Sequence, residues 1–319
     1  MTNVDQDSVD AGMLARAQGC LLGQLAGDAL GSLVEFQSPD SIRREYPGGV
    51  RNLADGGTWN TIAGQPTDDS EMALSLARLL VRNGRYEAEE ARKAYVAWLD
   101  SGPFDCGQTI ASGLRGRPIP ESQANGAMMR VSPLGIFGAK HALAEVAEWA
   151  RQDAALTHPH PVCLQANALF AMAIADAVRT ASEARNVHQR ITRWAEEMDA
   201  HPSLLDIVRK SETTTPADYV GQMGWVLKAF QNALWQLLHA RNLEEAVVDT
   251  AMRGGDTDTN AAICGALLGA VHGLEAIPPQ WVESLRNCRP AAGQKHVSRP
   301  RPEQFWPVDA PELAASLIR

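Results

Sequence analysis

Apolar residues recur at intervals of three and four along most of the chain, which is the spacing of one face of an α-helix. The pattern is clearest in residues 14–25, 72–80, 164–174 and 226–238. Convincing alternation of apolar and polar residues, the signature of a half-buried β-strand, is absent from the sequence. The pattern therefore predicts an all-α protein folded as a compact multi-helix bundle.

The helical pattern continues without a linker rich in Pro, Gly or Ser until Arg289. We expect a single domain over residues 1–319, with a polar N-terminal extension at 1–12 and a Pro-rich C-terminal segment at 289–319 that could wrap the surface. The chain has 319 residues, of which 45% are hydrophobic and 21% charged, so it is able to bury a sizeable core.

The net charge of −9 and the absence of a run rich in Lys or Arg exclude an extended surface for nucleic acid or anionic lipid. A compact phosphate ligand is still compatible with this charge. The most apolar stretch, residues 261–274, is shorter than the ~20 residues that a membrane span needs. We therefore expect a buried core helix there and no membrane partner.

The cysteines are odd in number, scattered and without a C-x-x-C pair, so neither a disulfide framework nor a zinc knuckle is predicted. The first ten residues, MTNVDQDSVD, lack the basic and apolar regions of a secretory signal. These features predict a reducing, cytoplasmic location. The five cysteines are Cys20, Cys106, Cys163, Cys264 and Cys288.

Two predicted helices carry glycine at every fourth position, within residues 19–27 and again within residues 265–273. Glycine inside a helix costs about 1 kcal/mol relative to alanine, so each stripe needs a compensating contact. Stripes without side chains predict two helices in close contact at the centre of the bundle. Both helices also carry acidic residues at one end.

Acidic residues are crowded at two predicted helix starts, in TDDSE (67–71) and GGDTDTN (254–260). A cap and the helix dipole use one or two acidic groups, and Asp68 with Glu71 resembles a capping box. Capping and the helix dipole explain the acidic residues of segment 67–71 when that segment is considered by itself. They do not explain why a second start, some 190 residues later, also has more carboxylates than a cap can use.

Binding of divalent metal ions would explain the excess of carboxylates at both helix starts. Carboxylates a few ångströms apart repel by about 4 kcal/mol per pair at an effective dielectric constant of 20, so they need a cation to remain ionised together. Oxygen ligands from Asp and Thr, with no Cys or His at ligand spacing, favour Mg²⁺ or Mn²⁺. Four Asp and two Thr suffice for two ions, held by Thr67, Asp68, Asp69, Asp256, Asp258 and Thr259.

In these motifs the chain resembles the ADP-ribosylglycohydrolase family. The similar segments occur in the same order and span most of the sequence: residues 19–36, 66–74, 102–109, 125–135, 157–161 and 254–270. The resemblance implies an all-α bundle of the ADP-ribosylglycohydrolase type that binds two Mg²⁺ or Mn²⁺ ions. It implies hydrolysis of the bond between ADP-ribose and a modified side chain, and it matches the same six Asp and Thr residues to metal-binding positions.

The resemblance also suggests residues for catalysis and substrate binding. Glu35 and Asp105 are the candidate acid and base, and either could have either role; a solvated helix-end charge and an Asx-turn are the alternatives. The backbone of the ANGAMMR segment could hold a diphosphate without a lysine. The implied substrate-binding residues are Gly107, Asn125, Gly126, Ala127, Met128 and His158.

The expected reaction is hydrolysis of the N-glycosidic bond between ADP-ribose and arginine in an ADP-ribosylated protein substrate. Two alternative functions remain open, of which only the first uses the same acidic residues. One is a two-metal pyrophosphate or phosphoester hydrolase, which would release AMP instead of ADP-ribose. The other is an immunity or antitoxin protein that blocks an ADP-ribosyltransferase by occupying it, either instead of hydrolysis or in addition to it.

Overall fold

A computed structural model describes residues 10–319; residues 1–9, most of the predicted N-terminal extension, lie outside the described part. The described chain forms fifteen α-helices, three short 3-10 helices and no β-strand, so the all-α prediction is confirmed. The helices are α1 (Ala11–Gly31), α2 (Pro39–Glu45), α3 (Asp68–Asn83), α4 (Ala88–Asp100), α5 (Gln108–Leu114), α6 (Ser132–Gly138), α7 (Leu143–Ala155), α8 (Pro161–Thr180), α9 (Ala184–Glu197), α10 (Pro202–Lys210), α11 (Val226–His239), α12 (Leu243–Met252), α13 (Thr257–His272), α14 (Pro279–Asn287) and α15 (Ala310–Leu317), with 3-10 turns at Met128–Arg130, Leu274–Ala276 and Glu303–Phe305.

The two glycine-striped helices, α1 and α13, pack directly against each other at the centre of the bundle. A Cβ atom on Gly23 would collide with the backbone of Gly265, and one on Gly31 would lie 2.5 Å from the Cα of Asp258. Gly273 has a different function, because it ends α13 with a φ of +79°. The predicted close contact is confirmed, and it brings the C-terminal end of α1 to the N-terminal end of α13.

A second apolar helix, α8, packs against α6, α7, α9, α11 and α13. It is long and apolar enough to cross a membrane by length and composition, but 83% of its most apolar window is buried inside the fold. This burial is typical of a core helix. The predicted core helix at 261–274 corresponds to most of α13, which is also buried.

The C-terminal segment is built into the core and does not merely wrap the surface. Helix α15 packs on α1, α3 and α6 through buried residues that include Leu313 and Leu317. Further upstream, Arg301 donates to both Glu71 carboxylate oxygens, at 2.8 and 2.7 Å, in an ion pair that is almost fully buried. Trp98 donates to the same carboxylate at 2.8 Å. The predicted capping box is therefore wrong: Glu71 pairs with Arg301 and does not cap α3.

We predict that Gly23→Ala strongly destabilises the protein, because its Cβ would meet backbone atoms of α13 that have no free space to move into. The loss in the free energy of unfolding should reach several kcal/mol, as for other overpacked core sites. Gly12→Ala is the matched control in the same helix: its Cβ would meet the ends of the Arg16 and Asp10 side chains and no backbone atom, so helix propensity should leave stability equal or slightly raised. Chemical denaturation of both variants measures the difference, and equal stabilities would contradict the packing argument.

Candidate metal and substrate site

One cavity of about 250 Å³ lies where the C-terminal end of α1 meets the starts of α3 and α13. The loop before α5 and the segment Ala124–Gly126 also line the cavity, and this segment is called the 124–126 wall. No Lys or Arg lines the cavity within residues 10–319, although six carboxylate side chains do. These six acidic residues are Glu35, Asp68, Asp69, Asp105, Asp256 and Asp258.

The start of α3 is organised by Asp28, an acidic residue inside α1. Its carboxylate accepts the backbone N–H groups of Thr67 and Ser70, both at 3.1 Å, and the Thr67 hydroxyl at 2.8 Å. Asp28 thereby does from another helix what an N-cap side chain does locally, and Thr67 itself makes no capping bond. Because Asp28 accepts these N–H groups, Asp68 and Asp69 are not needed to cap α3, and both line the cavity.

The residues present fit a divalent metal ion. Asp28, Asp69 and Asp258 each offer an oxygen within 4.8 Å of the others. Asp69 Oδ1 and Asp258 Oδ2 are buried without a hydrogen-bond partner among the described residues. A buried carboxylate oxygen without a partner is costly unless a cation or a donor meets it. An all-oxygen cluster is the type that hard ions such as Mg²⁺ prefer, so these groups could hold such an ion.

Without a bound cation, the pKa values of the carboxyl groups in this cluster are raised, which favours their protonated forms. Burial raises the pKa of Asp28 to about 7, although hydrogen bonds to Thr67 and Ser70 oppose the shift. Burial, followed by repulsion from neighbouring carboxylates, raises the pKa values of Asp68, Asp69 and Asp258 well above their usual range. A bound cation acts in the opposite direction, because it stabilises the ionised forms.

Glu35 and Asp105 form a second pair of acidic groups that shares Asp258 with the first cluster, with one oxygen of each residue within 4.8 Å of the others. The indole N–H of Trp59 donates to Glu35 Oε2 at 2.6 Å and fixes that carboxyl group. Burial and the neighbouring Asp105 raise the pKa of Glu35 to about 8. Burial likewise raises the pKa of Asp105 to about 6. The pair can therefore hold a proton near neutral pH.

The 124–126 wall offers hydrogen-bond donors. The Asn125 side chain donates to Asp256 Oδ2 at 2.7 Å, and its backbone N–H donates to the Gly224 carbonyl at 2.9 Å. The next two backbone N–H groups, of Gly126 and Ala127, donate to no backbone carbonyl in the described chain. A Cβ on Gly126 would lie 2.9 Å from Ile110 and 3.2 Å from His158, so glycine leaves this wall open.

His158 is buried against the same wall, and burial together with the Arg130 charge lowers its pKa to about 3. Its Nδ1 lies 2.7 Å from the Thr157 hydroxyl, which accepts a hydrogen bond from Arg130. This arrangement favours the neutral ring with the hydrogen on Nε2, an atom that has no partner in the described residues. Arg130 itself is fully buried in an ion pair with Asp153 at 2.9 Å and does not line the cavity.

The structure brings most of the predicted site residues to this one cavity. Both candidate catalytic residues line it, together with Gly107, Asn125, Gly126 and His158. Thr67 lies behind the lining, and so do Ala127 and Met128, which are fully buried in the turn at the start of the first 3-10 helix. The predicted metal residues that line the cavity are Asp68, Asp69, Asp256, Asp258 and Thr259.

Sequence reasoning missed Asp28 and Trp59. A signal for Asp28 existed, because it is a charged residue that directly follows Gly27, the last glycine of the stripe, in the apolar part of α1. No comparable signal existed for Trp59, which lies in an irregular loop and reaches Glu35 only through the tertiary fold.

The chain is similar to known glycohydrolases over nearly its whole length. The family model described as ADP-ribosylglycohydrolase matches residues 10–305. The chain is 30% identical to ADP-ribosyl-[dinitrogen reductase] glycohydrolase of Rhodospirillum rubrum, with 85% of this chain and 90% of the relative covered. It is 27% identical to ADP-ribosylarginine hydrolase Tri1 of Pseudomonas putida, with 92% and 78% covered.

A solved structure of an ADP-ribosylglycohydrolase-related protein complex superimposes on the fold with a TM-score of 0.76 and 25% identity, covering 96% of this chain and 97% of that one. The relatives are named for glycosidic hydrolysis, which supports ADP-ribosyl hydrolase activity over pyrophosphate cleavage or binding alone. The acidic helix starts, the cavity between them and these similarities agree: the chain belongs to the ADP-ribosylglycohydrolase family.

Proposed function

We propose that this protein is a metal-dependent hydrolase that releases ADP-ribose from arginine side chains of modified proteins and so reverses mono-ADP-ribosylation. The observation that carries the proposal is the buried carboxylate cluster, with unpartnered oxygens on Asp69 and Asp258, beside the second pair Glu35 and Asp105. Arginine as the linkage is supported by the similarity to a relative named ADP-ribosylarginine hydrolase.

Two Mg²⁺ or Mn²⁺ ions would be held by the carboxylates at the starts of α3 and α13, with the hydroxyl groups of Thr67 and Thr259 nearby. Thr259 Oγ1 donates to Asp69 Oδ2 at 3.3 Å, so one side chain links the two helix starts. When bound, such ions supply Lewis acidity toward ribose hydroxyls and water. A further reason for them is charge: an anionic diphosphate would enter a cavity lined by acidic groups and by no Lys or Arg.

The chain's own residues account for proton transfer. Hydrolysis breaks the bond between the anomeric carbon of ribose and the guanidinium nitrogen, adds a water oxygen to that carbon and returns a proton to the nitrogen. Glu35 and Asp105 are close enough to repel each other, so together they retain a proton that either would release alone in water. One member gives this proton to the leaving nitrogen, and the other accepts one from water.

The 124–126 wall binds and orients the substrate. The backbone N–H group of Gly126, which lines the cavity and donates to no backbone carbonyl, is suited to a phosphate oxygen. His158 remains neutral and offers its Nε2 hydrogen without adding charge. The Asn125 side chain holds Asp256, so this wall is coupled to the carboxylate side of the cavity.

The decisive experiment measures ADP-ribose release from arginine-linked and serine-linked peptides, in Mg²⁺, in Mn²⁺ and in EDTA. We expect faster release from the arginine-linked peptide, and loss of activity in EDTA that added metal restores. Faster turnover of the serine-linked peptide would overturn the arginine assignment. Undiminished release in a chelated sample, shown by elemental analysis to be metal-free, would overturn the metal dependence.

We predict that Asp256→Ala lowers kcat by several orders of magnitude while the protein stays folded. Asp256 is buried beside the cluster and holds Asn125, whereas its side chain takes no part in the apolar core. Asp40→Ala, which removes an exposed carboxylate on α2, is the matched control and should retain wild-type activity. If Asp256→Ala keeps more than about a tenth of the wild-type rate, a barrier difference of only ~1.4 kcal/mol, Asp256 is not required.

A further prediction concerns stability. Because the folded pKa values of Asp105, Asp28 and Glu35 are raised to about 6, 7 and 8, the folded metal-free protein binds more protons than the unfolded chain. Their contribution to the free energy of unfolding is therefore largest at low pH and falls as pH rises to 8. Asp69→Asn relieves repulsion, so it should raise the melting temperature in EDTA and weaken this decline.

In saturating Mg²⁺ the wild-type protein should have a higher melting temperature than Asp69→Asn, the reverse of the order expected in EDTA. A ligand at a hundredfold excess over Kd stabilises the folded state by about 2.7 kcal/mol, and the variant loses part of this gain. Thermal unfolding of wild type and Asp69→Asn, at pH 6.5 and 8 with EDTA or Mg²⁺, gives the required comparison. Equal destabilisation by Asp69→Asn under all conditions would show that Asp69 only supports the helix.

A further inference from the structure

Phe36, which directly follows Glu35, combines two unfavourable features. Its side chain is 57% exposed, which is unusual in this structure for a large apolar residue. Its φ is +63°, in the left-handed region that residues with a Cβ atom rarely adopt. Such a conformation persists only where surrounding contacts impose it, and it is concentrated at functional sites.

The surrounding contacts are specific. The Phe36 N–H donates to the Gly255 carbonyl at 2.8 Å, and the Gly255 N–H donates to the Gln37 carbonyl at 3.1 Å. Gly255 immediately precedes Asp256, the N-cap residue of α13. The backbone of Phe36 is therefore tied to the metal-site helix, and this connection holds its ring at the cavity, where Phe36 is one of the lining residues.

Phe36 belongs to a row of three aromatic rings beside the two candidate catalytic acids. Trp59 lies between the other two, with ring centroids 6.2 Å from Phe36 and 5.8 Å from Phe104. Phe36 adjoins Glu35 in sequence and Phe104 adjoins Asp105. Because Phe36 lines the cavity and Trp59 donates to Glu35, the row adjoins the acids at which the glycosidic bond would be cleaved and from which the modified side chain would extend.

The chemistry of this row suits a guanidinium group. Aromatic faces attract delocalised cations, and arginine guanidinium remains charged at all physiological pH values. The carboxylates of Glu35 and Asp105 add charge complementarity. The row already receives one guanidinium within the protein, because the Arg299 side chain lies over the Phe104 ring, 5.9 Å from its centroid. The exposed ring of Phe36 has no such partner from residues 10–319 among the cation–π contacts.

We propose that Phe36, supported by Trp59, is the binding site for the guanidinium of the ADP-ribosylated arginine and selects this leaving group by a cation–π contact. The proposal rests on the proposed function, since it identifies the part of the site that recognises the linkage. It explains why a strained and exposed ring occurs at this position, beside the acids and tied to the start of α13.

The test measures kcat and KM on an ADP-ribosyl-arginine peptide for four variants. Phe36→Asn removes the ring but tolerates a positive φ, so kcat/KM should fall about fivefold, chiefly through KM, with no loss in melting temperature. Phe36→Tyr keeps an aromatic face and should stay within about twofold of wild type. Phe36→Leu keeps apolar bulk without the face and should fall as far as Phe36→Asn. Val81→Asn, which removes another exposed apolar side chain that does not line the cavity, should leave kcat and KM unchanged.

The outcomes distinguish failure of the guanidinium site from failure of the proposed function. Wild-type cleavage of the peptide with unchanged kcat/KM in Phe36→Asn overturns the guanidinium site and leaves the proposed function intact. Wild-type values for Phe36→Leu show apolar packing in place of cation recognition and also overturn it. If the wild-type protein does not cleave the arginine-linked peptide, the proposed function fails, and the guanidinium site fails with it.

Discussion

The contact between the backbones of α1 and α13 is the constraint on which the rest of the structure depends. Glycine on both helices removes the side chains that would separate them, and at Gly31 the approach reaches the Cα of Asp258. The same approach places a carboxylate oxygen of Asp28, near the C-terminal end of α1, within 4.8 Å of one of Asp258. Packing of α1 against α13 therefore also brings the carboxylates of Asp28 and Asp258 together.

Some carboxylate oxygens of the cluster accept hydrogen bonds from the protein, and others have no partner among the described residues. Asp28 receives three hydrogen bonds from the start of α3, whereas Asp69 and Asp258 each retain an unpartnered oxygen. A site optimised for the stability of the protein alone would not be arranged in this way, since buried repulsion opposes folding. The arrangement is understandable if the electrostatic balance of the folded state includes a cation.

Sequence patterns predicted what local spacing determines. Helical periodicity predicted the fold class, and the four-residue glycine repeat predicted the α1–α13 contact at Gly23 and Gly265. The acidic helix starts predicted the crowding, although not the contribution of Asp28, because its partners lie 39 and 42 residues along the chain. The capping box failed for a similar reason: the partner of Glu71, Arg301, lies 230 residues away. No local pattern can show such pairings.

The ion pair between Glu71 and Arg301 has a consequence for biosynthesis. Chains fold from the N-terminus as they are made, and Arg301 is translated after fourteen of the fifteen α-helices. Before Arg301 is made, the Glu71 carboxylate in the first turn of α3 lacks its partner in the ion pair. Burial of an unpaired charge is strongly unfavourable. We therefore expect the first turn of α3 to reach its final arrangement late, so that a nascent chain lacking its last segment has an incomplete site and no activity.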